Sequence, residues 1–154
     1  MIRFLGTRGT IPVSGAAFCK YGGNSPCLMI PVDAKRCIVI DGGTGIYNLN
    51  EYGDFDEYHI FLTHLHCGLP LFKPFYIPGK IIQIYIEEKP ALSSADFLHV
   101  LFNPPFFPVP RPALKSNIDF HIVKGGQKFS FGDVTIHAAE GNHPDGALMY
   151  KIED

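Results

Sequence analysis

Hydrophobic positions along the chain fall into short runs and alternations, not into helical stripes. Residues 37–40 and 60–62 are continuous apolar runs, the pattern of strands buried on both faces. Ile118, Phe120 and Ile122 alternate with other residues, and so do Val134, Ile136 and Ala138; this is the pattern of half-buried strands. Strands are predicted at 2–6, 27–31, 37–41, 59–63, 81–86, 118–123, 128–131, 134–139 and 149–152. Gly125-Gly126 and Gly132-Asp133 supply turn chemistry between the later ones. One helix is predicted at 94–102, capped by Ser93 and stopped by Asn103-Pro104-Pro105. A second, short helix is predicted from Thr44, after Gly42-Gly43. Residues 103–112 carry five prolines and must be irregular. They read either as a lid or partner surface, or as a surface loop pinned by Phe106 and Phe107.

Composition narrows the class. A length of 154 residues suits one domain that can bury a core. Apolar residues make up 46% of the chain, yet no apolar run reaches the roughly 18 residues that a membrane span needs. The opening residues, MIRFLGTRG, are too short and too polar for a secretory signal. No membrane association and a cytoplasmic location are expected. A net charge of −2 gives no broad basic field for nucleic acid. The four cysteines form no Cys-x-x-Cys pair and are expected reduced. Cys27 and Cys37 lie in apolar runs and read as core residues.

The candidate chemistry begins where one apolar run stops. Residues 60–72 read IFLTHLHCGLPLF. In an extended segment, side chains at i and i+2 share a face. His64 and His66 are therefore expected to converge on one metal ion while Leu65 points into the core. Neutral imidazole is a common zinc ligand. Cys67, next to His66, reads either as a further ligand or as a small loop residue. Asp41 ends the run CIVID before a glycine turn, and His143 sits in a Gly-Asn-His-Pro loop.

These segments stand in a particular order: RFLGTRGTIPVSG, KYGGN, CIVIDGGTG, the His-x-His run, then GNHPDGALMY. Together they resemble the metallo-β-lactamase superfamily, in particular its ribonuclease Z and cyclic-phosphodiesterase-like hydrolases. The resemblance covers nearly the whole chain, but only the first part of such a protein. It implies an α+β, β-rich fold, a partial αββα sandwich in a single domain spanning 1–154 and incomplete at its C-terminus. The family motif is His-x-His-x-Asp-His; here Cys67-Gly68-Leu69-Pro70 follows His66 and the Asp-His pair is absent.

Carried over residue by residue, His64, His66 and His143 match a three-histidine site. That implies one zinc ion per chain, with manganese or iron as alternatives, and no obvious second metal. Asp41 resembles the carboxylate that orients a metal-bound histidine; the competing reading is a cap on the Gly-Gly turn. Asn24 belongs to a loop near the site, as a structural residue more than a contact. His59, His99, His121 and His137 read as strand or helix residues, with His137 the candidate substitute ligand.

Two function classes follow. One is a hydrolase directed at a phosphodiester, small or RNA-like, with weak or absent activity. The other is a non-catalytic remnant of the fold serving as a binding or structural module. Half a sandwich would also expose an apolar sheet face, so a homodimer is expected, paired through that face or through 103–112. The alternative is that the strands of 118–152 fold back as the second sheet.

Overall fold

A computed structural model of the chain describes residues 1–9, 11–66, 73–89, 93, 96 and 111–154. Nine strands form two sheets: β1 (Arg3–Gly6), β2 (Cys27–Pro31), β3 (Arg36–Ile40), β4 (Glu57–Phe61), β5 (Ile81–Glu87), β6 (Asn117–Val123), β7 (Lys128–Phe131), β8 (Val134–Gly141) and β9 (Ala147–Glu153). The first sheet has the order β1-β2-β3-β4-β5-β6, and the second is the meander β7-β8-β9. β1, β2 and β3 pair antiparallel, whereas β3 to β6 run parallel. The continuous apolar runs lie on β3 and β4, the two central strands of the six-stranded sheet, where both faces are covered.

One face of the large sheet packs Val39, Tyr58, Ile60, Ile82 and Ile84 against Ile46, Leu49 and Phe75. Ile46 and Leu49 come from a 3₁₀ helix at Thr44–Glu51, and Phe75 from another at Lys73–Tyr76. The Thr44 helix predicted from the sequence is present, wound as 3₁₀. The other face packs Ile38, Ile40, Phe61 and Tyr85 against Phe131, Val134, Ile136 and Leu148 of the meander. Phe61 stacks on Tyr85 with ring centroids 4.0 Å apart. Cys27 and Cys37 are fully buried, and desolvation pushes both thiols up to about 12.

The described residues thus build a helical layer, a mixed sheet and a second sheet of the expected sandwich. Only part of 118–152 folds back, because β6 pairs parallel with β5 and stays in the first sheet. The meander covers the apolar face of β3 and β4 within one chain. Residues 103–110, the other expected contact, lie outside the described residues. So does most of the predicted helix at 94–102, together with His99. At its start Ser93 and Asp96 exchange cap bonds: Ser93 N–H and Oγ donate to Asp96 Oδ2 (2.9 and 2.7 Å), and Asp96 N–H returns to Ser93 Oγ at 3.3 Å.

Candidate metal centre

The site forms at the carboxyl ends of the parallel strands β3 and β4, the usual position for ligands in such sheets. β4 ends at Phe61, two residues earlier than the apolar run suggests. Leu62 N–H still donates to the Tyr85 carbonyl at 2.9 Å. Thr63 N–H instead turns to the Asp41 carboxylate, 2.8 Å from Oδ1. His64 and His66 therefore leave from a loop, not from one face of a strand, which corrects the strand-alternation argument. Leu65 packs against the core as expected. Asp41 also lies one residue beyond its strand, in the left-handed region at φ 60°, where Asp is among the better tolerated residues.

Asp41 does not touch His64 directly in these contacts. Thr63 Oγ1 lies 2.9 and 3.0 Å from the two Asp41 oxygens and 2.8 Å from His64 Nδ1. The hydroxyl has one proton, which it gives to the carboxylate. It then accepts from His64 Nδ1–H, so Nε2 of His64 keeps its lone pair. Burial pushes the Asp41 carboxyl up, while the Thr63 hydrogen bonds and nearby His64 pull it down; burial wins. Asp41 reaches His64 through Thr63, while the Gly43 N–H of the glycine turn donates to the Pro26 carbonyl at 2.9 Å and not to Asp41. The relay residue Thr63 was not read from the sequence, although its place directly before His64 was the available signal.

His143 arrives from the connection between β8 and β9. Its Nδ1 lies 2.6 Å from the Pro144 carbonyl. A carbonyl can only accept, so Nδ1 carries the proton and Nε2 is again the free ligand atom. The loop is fixed from below: Lys89 donates to the Asp145 carbonyl and pairs with Glu87. Gly146 has φ 83°, and a Cβ there would meet a Glu87 carboxylate oxygen at 2.4 Å. No side chain fits. Two further bonds tie β9 to the His64 loop: Leu148 N–H to the Thr63 carbonyl at 2.7 Å, and Tyr150 OH to the Leu62 carbonyl at 2.9 Å. Burial, with Asp41 and Glu87 nearby, raises the Tyr150 phenol, so it stays a donor. No sequence pattern signalled these ties.

The outcome is convergence across 79 positions of sequence, from His64 to His143. One ligand atom from each of His64, His66 and His143 lies within 4.8 Å of the other two. The ring centroids are 5.2, 4.9 and 4.9 Å apart. His66 Nε2 is 4.0 Å from Asp145 Oδ2, a long contact at the rim. The group opens into a cavity of about 550 Å³ whose walls include Ile11, Pro12, Pro26, Asp41, Thr44 and Leu62.

Other candidates fall elsewhere. His137 is not a substitute ligand: it stands on the outer face of the meander, with Nε2 2.6 Å from Glu153 Oε2. Asn24 is structural, since its Oδ1 accepts from Thr44 Oγ1 at 3.2 Å and its carbonyl from Arg8 N–H at 2.9 Å. Cys67 lies outside the described residues.

No family model matches the sequence, and no curated protein matches it. Solved structures do match in shape. The metallo-β-lactamase fold protein YhfI from Bacillus subtilis aligns with 99% of this chain and 57% of its own, at 13% identity and a TM-score of 0.62. A diphosphatase of the PhnP family aligns with 98% of this chain and 61% of its own, at 16% identity and a TM-score of 0.65. A Cronobacter sakazakii metallo-β-lactamase aligns with 93% and 55%, at 16% identity and a TM-score of 0.50. The chain has the metallo-β-lactamase fold and spans 57% and 61% of the length of the first two structures. Among the described residues no helix is long and apolar enough to cross a membrane.

Proposed function

We propose that the chain is a metal-dependent hydrolase of low activity, directed at a phosphodiester, with one zinc ion held by His64, His66 and His143. The observation that supports this reading is the convergence of three imidazoles within 4.8 Å at the head of a cavity. The donor set fits the ion: three imidazoles and an open fourth position suit catalytic zinc. The same nitrogen set accommodates iron or manganese less selectively. When bound, the ion supplies Lewis acidity and lowers the pKa of water.

The chain's own residues supply the geometry. Thr63 and Asp41 hold His64 in one tautomer, and the Pro144 carbonyl does the same for His143. Ser25 and Thr44 brace the glycine turn beside them, with Thr44 N–H donating to Ser25 Oγ at 2.8 Å. A structural neighbour that is a diphosphatase supports phosphoryl chemistry as the reaction class. The sequence has no Asp-His pair after His66; a two-metal clamp would need further ligands, and its transition-state stabilisation would be lost.

The test is turnover of bis(p-nitrophenyl) phosphate by zinc-loaded protein. Slow hydrolysis that His66→Ala removes is expected. Robust turnover that survives His66→Ala would overturn the assignment. The missing Asp-His pair favours one alternative, a metal-holding module without catalysis; a stoichiometric ion with no turnover is its signature.

A further inference from the structure

The cavity wall mixes two chemistries: the three histidines with Asp41, and the apolar Ile11, Pro12, Pro26 and Leu62. Leu62 is buried beneath the histidine loop, but Ile11 stands 67% exposed. It is held there by a neck. Arg8 N–H donates to the Asn24 carbonyl and Val13 N–H to the Gly23 carbonyl, each at 2.9 Å. The neck closes tightly, since a Cβ on Gly23 would sit 1.7 Å from the Val13 carbonyl oxygen. Gly9, Ile11 and Pro12 lie between these two fixed points, and at this tip Ile11 N–H donates to the Gly9 carbonyl at 2.8 Å. The tip contributes Gly9, Ile11 and Pro12 to the cavity wall.

We propose that Ile11 and Pro12, with Pro26 and Leu62, form a subsite for an apolar aryl or alkyl group of the substrate in the cavity that the histidines also line. The proposal rests on the metal-hydrolase reading and names the substrate class of that site: an ester whose non-reacting group is hydrophobic. Space agrees with it. A cavity of about 550 Å³ falls within the roughly 300–1,000 Å³ of small-molecule sites. Apolar walls with a few convergent polar groups are what such sites use for affinity and orientation respectively. A ligand's hydrocarbon covering Ile11 would remove exposed apolar surface from water on both partners.

Calorimetry with two phosphodiesters of equal charge tests it. Zinc-loaded protein is titrated with diphenyl phosphate and with dimethyl phosphate, and both titrations are repeated without zinc. Diphenyl phosphate is expected to bind at least about tenfold more tightly, the discrimination a hydrophobic pocket gives for even one methylene. Ile11→Ser should collapse that ratio towards one, and Ile11→Leu should keep it. Met149→Ser, which changes an exposed apolar residue on β9, should also keep it. Equal binding of the two esters, or a ratio that survives Ile11→Ser together with Pro12→Ser, overturns the subsite. Absence of binding by either ester overturns it as well. A ratio that is intact with and without zinc, while zinc leaves both affinities unchanged, sinks the metal-hydrolase reading and keeps the subsite.

Discussion

Two groups of histidines spend their nitrogens differently: one sits in mid-strand in the large sheet, the other in loops beyond strand ends, His64 and His66 after β4 and His143 between β8 and β9. His59 is in mid-strand on β4 and His121 on β6. His59 Nδ1 is 3.1 Å from the Tyr85 hydroxyl and its Nε2 is 3.0 Å from Glu57 Oε1. His121 Nε2 pairs with Gln83 Oε1. In a sheet, flanking strands about 5 Å away bring side chains that take up a histidine's nitrogens. Beyond the strand ends there is no such neighbour. His64 and His143 each spend Nδ1 on a local partner, Thr63 or Pro144, and keep Nε2. Spare nitrogen lone pairs mark a ligand site; the number of imidazoles does not. Among the described residues only the strand-end group has such spare atoms converging.

The largest expected effect breaks that group. Zinc titration of purified protein should give one tightly held ion per chain, and His64→Ala should weaken binding by more than about 100-fold, beyond the loss typical of removing an outer partner. His59→Ala should leave zinc binding intact. Two tightly held ions per chain would contradict the single-site account and imply ligands outside the described residues.

A smaller effect tests how the spare lone pair is made. Thr63→Val removes the hydroxyl between Asp41 and His64 but keeps the shape. Metal affinity should fall about 10–100-fold, the usual cost of losing a group that orients a ligand. Thr63→Ser should restore most of it. An unchanged affinity in Thr63→Val would mean that the relay does not set the His64 tautomer.

The mid-strand group should answer through stability instead. His59→Ala leaves the buried Tyr85 hydroxyl without its partner, while Glu57, its side chain 30% exposed, can turn to water. The expected loss is about 1–3 kcal/mol per unsatisfied group, read from urea unfolding. His137→Ala on the exposed face of the meander should stay within about 0.5 kcal/mol, as surface changes do. A loss of His59→Ala stability below that of His137→Ala would invalidate the division between the two groups.

How much of this was legible in the sequence follows the same division. Apolar runs and alternation placed the strands of both sheets because burial is written in side-chain type. The His-x-His pair marked candidate ligands by residue type and spacing, whereas His143 entered mainly through the family resemblance, because its partner His64 lies 79 positions away. The strand end was misplaced by two residues, because Asp41 captures the Thr63 amide and nothing in residues 59–63 encodes a partner 22 positions away. The ties from Leu148 and Tyr150 to the His64 loop were equally invisible, as was the choice of β6 for the first sheet. Each depends on long-range pairing, which local pattern does not carry. Thr63 was readable as a hydroxyl beside a ligand, but its role needed Asp41 in place.

The smallest effect concerns protons. Burial lowers the His59 pKa from its ordinary value, Arg36 and His121 act in the same direction, and Glu57 opposes them. The facing Tyr85 hydroxyl hydrogen-bonds the ring. Between the lowered folded value and the unfolded value of about 6.5, the unfolded chain binds more protons than the folded one. Stability therefore rises with pH across that window and is fully present above it. Acidification from pH 8 should leave the urea midpoint flat to about 6.5 and lower it as the pH falls further. His59→Gln keeps a neutral hydrogen-bonding side chain and cannot titrate, so the midpoint of metal-free protein should lose its dependence in this window. A slope of the same size in His59→Gln would assign the proton uptake to another group and remove His59 as the acid-sensitive point of the sheet.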